Sequence, residues 1–323
     1  MKPDRRRRRA LWGAIALAWP LAAAADAAPW PAAGARPIRL IVAYPPGGVS
    51  DEAARTLAEQ LAADLQVPVT VEHRPGAGGA VAMEALAHAA PDGHTLVFSA
   101  ISPLLMSSPG GRPAIELATV APVFSVMLTP MLLVGTPAFS GRDVDAVLRQ
   151  ARLHPGALRW ATSGLATTGH LVLEQVRAAR QVDITHVPYK GGGQQLTDAL
   201  SGQFELLSTN VGAQQLAFIR QGRLRALAVG APARLAVLPE VPTFAELGLP
   251  QANLASLFGV FAPAGTPVLR IERLNAAFNL ALRRSSLQAR LLAVNNLPTG
   301  GSSADFLQQI QRAIEASRAS APR

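Results

Sequence analysis

From residue 38 onward, apolar and polar positions fall into a repeating order. Ile38 to Ala43 is a short apolar run closed by Pro45-Pro46-Gly47-Gly48, which predicts a buried strand ending in a sharp turn. Ala54, Leu57, Ala58, Leu61 and Leu65 then recur at helical spacing, with Ser50 or Asp51 placed to cap the helix they predict. Val67 to Glu72 alternates as a strand does, Arg74-Pro75-Gly76-Ala77-Gly78-Gly79 breaks it, and Val81 to Ala89 predicts an alanine-rich helix. Thr95 to Ser99, Leu158 to Ala161, Ile184 to Val187, Phe204 to Ser208 and Leu224 to Val229 predict further strands. Helices are predicted over 168–179, 194–200 and 213–221, and two more near the C-terminus. Strands alternating with helices specify an α/β fold with largely parallel strands.

Two stretches interrupt this order. Val123 to Val134 is apolar but short and holds Pro130, so it does not have the length of a membrane span and reads as a crossover between lobes. Phe258 to Ala262 is the strand that would return the chain. On that reading two α/β lobes would be joined by two connections with a cleft between them, an organisation that periodicity alone does not show.

The N-terminus carries a different signal. Five consecutive arginines, Arg5 to Arg9, precede an apolar run from Ala10 to Ala25 and then Ala25-Asp26-Ala27, the pattern of a cleavable secretory signal peptide over residues 1–27. Arg8-Arg9 also suits a twin-arginine signal, but a plain basic region feeding the Sec route needs fewer assumptions. Export to the periplasm follows on either route.

Composition narrows the chemistry. With no cysteine among 323 residues, disulfides, thiolate metal sites and a cysteine nucleophile are excluded. The net charge of +9 is partly the leader's: its six Lys/Arg against two Asp contribute +4, leaving +5 spread over the rest. With so few aromatic residues to stack on bases, nucleic acid is not an expected partner. The six histidines show no metal spacing, Gly48-Val49-Ser50-Asp51-Glu52 lacks the second glycine of a nucleophile elbow, and Gly76-Ala77-Gly78-Gly79 fits no nucleotide loop. No cofactor, no metal and no catalytic residue are expected. A secreted α/β enzyme or a periplasmic ligand-sensor is the alternative reading.

Three turns sit at the carboxyl ends of predicted strands and just before helices, where open α/β sheets bind ligands: Pro45 to Asp51, Thr162 to His170, and Pro188 to Gly193. Glycine lets backbone N–H groups approach a ligand, and the following helix start supplies unpaired donors and partial positive charge, which suits a carboxylate. Ser50, Ser163, Thr167 and Thr168 could add hydroxyls. Both tyrosines of the chain, Tyr44 and Tyr189, fall in these turns, as does Lys190, the one lysine beyond the leader.

Across nearly the whole mature chain, segments resemble the TctC or Bug family, the periplasmic receptors of tripartite tricarboxylate transporters. They are Pro37 to Val42 with Tyr44 to Asp51, Val71 to Gly79, Ala90 to Leu96, His186 to Gly191, and Leu224 to Val229 with Pro239 to Phe244; Phe261 to Pro267 completes the set. The resemblance implies a two-lobed, Venus-flytrap fold of the type II periplasmic binding-protein kind, with 36–126 plus 258–323 as one lobe and 127–257 as the other. It implies a monomeric receptor that closes on a small carboxylate and hands it to the membrane components of a tripartite transporter. The first glycine turn would hold one carboxylate through backbone groups and ordered water, and the Thr162 to His170 turn would face it. The ligand-binding residues expected are Tyr44, Pro46, Gly47, Gly48, Ser50, Asp51 and Ser99 from the first lobe, and Ser163, Thr167, Thr168, His170, Tyr189, Lys190 and Thr209 from the second.

This chain also departs from the family pattern. Ala100-Ile101 stands where a Thr-Asn is common, Thr209 where an Asp often precedes Asn210, Leu257 where a Trp is common, and Leu165-Ala166 where Asn-Gly is. A more apolar pocket and a ligand without a free amine, an aromatic or aliphatic carboxylate, are expected from these changes.

Overall fold

The computed structural model describes residues 30–31, 35–105, 114–165, 167–284 and 286–319, so the leader read above lies outside the described residues. The first half runs β1 (Ile38–Val42), α1 (Val49–Leu65), β2 (Val69–His73), α2 (Ala80–Ala87), β3 (Thr95–Ala100), α3 (Ser102–Leu105) and the long β4 (Val120–Gly135). Then come α4 (Val144–Leu153), β5 (Arg159–Thr162), α5 (Thr168–Arg180), β6 (Thr185–Pro188), α6 (Gly192–Leu200), β7 (Leu206–Asn210), α7 (Ala213–Arg220) and β8 (Arg225–Gly230). The chain returns through β9 (Ala255–Pro263) and ends with α8 (Val268–Arg284), α9 (Leu287–Ala293), β10 (Leu297–Pro298) and α10 (Ser303–Ala319). Three helices therefore follow β9 where the pattern predicts two, because α9 starts afresh after Ser286. Among the described residues no helix is long and apolar enough to cross a membrane.

The stretch that reads as a crossover is the spine of the molecule. Its first part pairs with β9 on one side and β10 on the other, and from Met131 onward it pairs with β7 and β8. Pro130 sits at that exchange of partners, where a residue without an N–H interrupts least. Order within each half is parallel, β2-β1-β3 and β6-β5-β7, but every pairing of β4 or β9 is antiparallel. The sheet is thus less parallel than the alternation implies, since two connecting strands run through it in opposite directions.

The hydrophobic pattern sorts onto separate cores. Ile38, Leu40 and Val42 of β1 face the cluster that takes Ala54, Leu57, Ala58, Leu61 and Leu65 of α1, while Ile41 joins Met83, Phe261 and Phe306 on the other face. That two-sided burial is why β1 reads as a continuous apolar run rather than an alternating one. The second lobe is built likewise, around Trp160, Val172 and Phe244 on one face and Leu132, Phe204 and Leu207 on the other. The β-to-α turns of both lobes open toward each other.

Candidate ligand cleft

Between the lobes lies a cavity of about 590 Å³. Three helices start at its wall: α1 after Gly48, α6 after Gly191 and α7 after Gly212. In each the N-cap residue is glycine, and in none does a side chain cap the helix. The first N–H groups of a helix have no intrahelical partner and normally bond a capping side chain or water. The first two residues of all three helices, Val49 and Ser50, Gly192 and Gly193, Ala213 and Gln214, line the cavity. By contrast α5, whose start does not line it, is capped in the ordinary way, with the Thr167 hydroxyl accepting from the His170 N–H at 3.4 Å.

Several of these glycines are not explained by packing. A Cβ at Gly48, Gly192 or Gly193 would meet nothing within 4 Å, and none of the three has a left-handed φ. Their missing side chains leave open space inside the cleft, next to N–H donors. Such space suits an anion that approaches the backbone closely.

The first turn is held from behind. Asp51 accepts from the Gly47 N–H at 2.9 Å and from Arg55 at 2.8 Å, and lies 2.7 Å from His73 Nε2. Burial alone would push this carboxyl up, but the Gly47 N–H, the His73 ring and Arg55 outweigh it and hold it below the usual value. Gly47 adopts φ +90°, which favours glycine. Asp51 therefore shapes the turn and does not itself line the cavity. Tyr44 lines it with its ring, edge-on to Phe258 at 5.8 Å, while its hydroxyl accepts from the Ala100 N–H at 3.1 Å.

Of the residues expected to bind ligand, Tyr44, Pro46, Gly47, Gly48, Ser50, Ser163 and Thr209 are brought together on the wall. The others lie behind or away from it. Ser99 is fully buried and donates to the Ala100 carbonyl. Thr167 spends its hydroxyl on the cap of α5 and on the Gly164 carbonyl, and Thr168 is buried in the first turn of that helix. His170 stacks on His186 with ring centres 4.3 Å apart. Tyr189 donates to Asp198 at 2.7 Å, and burial with that bond pushes its phenol up to about 12. Lys190 is exposed. From the second lobe the cavity wall takes Ser163 of the turn before α5 and the starts of α6 and α7, while Thr167 caps its own helix.

The wall also contains residues that the motifs did not mark. Gln195, only 1% exposed, donates to the Ser208 carbonyl at 3.1 Å and keeps a buried Oε1 with no hydrogen-bond partner. Asn210 accepts from Ser256 at 2.8 Å, and Gln215 donates to Thr209 at 3.3 Å. From α9 come Leu287, Arg290, Leu291 and Val294 just beyond it, with Arg290 paired to Glu52 at 3.3 Å and donating to Thr56 at 2.8 Å. The apolar character of the cleft is thus set by Leu196, Phe258, Leu287, Leu291 and Val294. Ala100, Ile101, Leu165 and Leu257 do not line it, and Ala166 lies outside the described residues.

Residues 53–320 match the family of tripartite tricarboxylate transporter receptors, TctC. The chain is 37% identical over 267 residues to protein BugT of Bordetella pertussis, covering 82% of each. Among solved structures, MatC from Rhodopseudomonas palustris with bound malate is 28% identical with a TM-score of 0.80, over 88% of this chain and 98% of that one. An R. palustris protein solved with adipate is 30% identical with a TM-score of 0.79, over 90% and 97%. The likeness spans both lobes and the strands that join them, so the fold is that of a two-lobed periplasmic binding protein. The chain belongs to the TctC family of solute-binding receptors.

Proposed function

We propose that this receptor captures a small carboxylate without a free amine in the cleft, between the helix starts at Gly48, Gly191 and Gly212, and delivers it to a tripartite tricarboxylate-type membrane transporter. The observation that carries this is the convergence of three uncapped glycine helix starts, from both lobes, on one cavity. Each brings unpaired N–H donors and the positive end of a helix dipole, which an anion complements without any cationic side chain. Malate and adipate in the related structures support a carboxylate as the ligand class. The absence of an amine rests on the single carboxylate of the described wall, Glu52, being already paired with Arg290.

In this reading, 36–126 plus 258–323 form one lobe and 127–257 the other, and they rotate about β4 and β9. Closure buries the ligand, and the ligand's contacts with both lobes select the closed form. Residues 1–27 direct export to the periplasm by the Sec route, and the receptor acts as a monomer.

A thermal-shift screen of residues 28–323 against amine-free and amine-bearing carboxylates tests the proposal, because a ligand of the native state raises the melting temperature by mass action. The expected result is a shift that disappears when the carboxylate is amidated. Tight, specific binding of aspartate or glutamate would contradict the amine-free assignment.

A further inference from the structure

The chain joins the lobes through β4 and β9, and a further tie between them is not covalent. It is made by the segment from α9 to β10, which follows the return strand. Leu287 and Leu291 seat α9 in the core shared by β1, α1 and α8, and Arg290 fastens it to α1 through Glu52 at 3.3 Å and Thr56 at 2.8 Å. β10 then pairs with β4 at Leu128 and Met127, on the first-lobe side of Pro130. Between these two anchors the segment reaches the other lobe. Val294 packs against the second-lobe cluster that holds Leu235, Leu238 and Val241, and Asn295 Oδ1 accepts from the Val237 N–H at 3.3 Å.

The end of α9 does not itself need that asparagine side chain. Asn295 adopts φ 58°, its N–H bonds the Leu292 carbonyl at 3.0 Å, and the Asn296 N–H bonds the Leu291 carbonyl at 2.9 Å. This is the Schellman ending of a helix, a position that glycine fills most often because it carries no Cβ. What asparagine adds is the amide that reaches Val237. Leu291, Ala293 and Val294 also line the cavity, so the grip lies on the cleft side of the two connecting strands. A rotation that opens the cleft separates groups on that side. In this structure the lobes also approach closely at Gly191 and Pro45, so the grip belongs to the arrangement in which they are together.

We propose that the α9–β10 segment is a strap that holds the lobes together from inside the cleft. Val294 and Asn295 grip the second lobe when the lobes meet and release it when they part, so the strap sets the fraction of unliganded receptor that is closed. This rests on the rotation of the lobes about β4 and β9, and it does not depend on what the cleft binds.

The chain has no cysteine, so spin labels can be placed without background at Glu84→Cys on α2 and Ala178→Cys on α5, exposed positions in opposite lobes. Double electron–electron resonance on residues 28–323, with no ligand added, then reads the distance between the lobes. The expected result is a shorter and a longer population, with the ratio of longer to shorter rising about two- to tenfold in Asn295→Gly and, separately, in Val294→Ala, the scale of one hydrogen bond or of a partly buried pair of methyls. Asn295→Gly preserves the left-handed helix end, so the fold is expected to survive it, as melting temperature checks. Asn295→Asp keeps an acceptor for the Val237 N–H and is expected to leave the ratio as in the wild type. Two populations whose ratio ignores both Asn295→Gly and Val294→Ala, or moves as far in Asn295→Asp, would overturn the strap alone. A single distance common to the wild type and every variant would overturn the rotation as well. The carboxylate reading stands in either case, since it rests on the helix starts.

Discussion

A Cβ added to Gly191 would lie 2.3 Å from Cδ of Pro45 and 2.6 Å from its Cγ, and the three atoms nearest to that position beyond its chain neighbours all belong to Pro45. The two lobes therefore meet at this point through a glycine and a proline ring, beside the cleft. A second approach lies nearby, where a Cβ on Gly164 would come 3.4 Å from the Gly78 backbone nitrogen. The proposed closure would bring the lobes together across the missing side chain at 191. Gly191→Ala is expected to lower the unliganded protein's melting temperature, because the φ of +158° at this residue disfavours any side chain, and to oppose the close approach of the lobes by about 1–3 kcal/mol more, the usual scale of overpacking. Ligand affinity would fall about 5- to 150-fold. Calorimetric titration checks the loss, and Pro45→Ala in the same chain is expected to restore part of it.

Asp51 is expected to matter for stability and binding together. Asp51→Ala leaves the Gly47 N–H, Arg55 and His73 without their shared acceptor, a cost of about 1–3 kcal/mol. Because the folded carboxyl is held below its ordinary value, its contribution is complete above the unfolded value near 4 and is lost as pH falls through the lower, folded one. Chemical denaturation of wild type and variant at pH 7 and pH 3 is expected to show a smaller difference at pH 3. An equal difference at both would contradict this role.

The stacked pair gives a second pH dependence, of different origin. Burial, then the neighbouring His170 and Arg177, depress His186 to about 4, and burial lowers His170 as well, against the opposing pull of Glu174. The unfolded chain thus binds protons between about 6.5 and 4 that the folded one does not. Stability is complete above pH 6.5 and declines as pH falls toward 4, by about 1–2 kcal/mol once partial exposure of the ring is allowed for. His186→Gln is expected to flatten the melting curve over that window, measured as melting temperature against pH.

Gln195 combines one made and one unmade hydrogen bond in a buried amide. Gln195→Leu removes the bond to Ser208 but also removes an unpaired buried acceptor, and the two effects oppose each other. A stability change under about 1 kcal/mol is expected by denaturant titration, where a fully paired buried amide would cost more.

Much of this architecture was legible in residue spacing, and the reasons are local. The α1 stripe from Ala54 to Leu65 and the closed apolar run of β1 each carry their period within a few residues, and both pack as that period implies. The glycine turns at Gly47-Gly48 and Gly191 to Gly193 were visible because glycine is punctuation as well as chemistry. What was not legible depends on contacts between distant segments. Asp51 looks like a pocket carboxylate until His73 and Arg55 are seen to face it. Thr167 looks like a ligand donor until it is found capping its own helix. The wall from α9 has no motif at all, because Leu287 and Leu291 are indistinguishable in sequence from ordinary core residues, and they belong to the core as well.

The most direct test of the central claim is amide-resolved NMR of residues 28–323 titrated with a carboxylate that gives a thermal shift. Binding at three uncapped helix starts is expected to move the N–H resonances of Val49, Ser50, Gly192, Gly193, Ala213 and Gln214 together, with one affinity, and the amidated analogue is expected to move none of them. Perturbation confined to one lobe, or centred on Thr167 to His170 with those six unmoved, would contradict it.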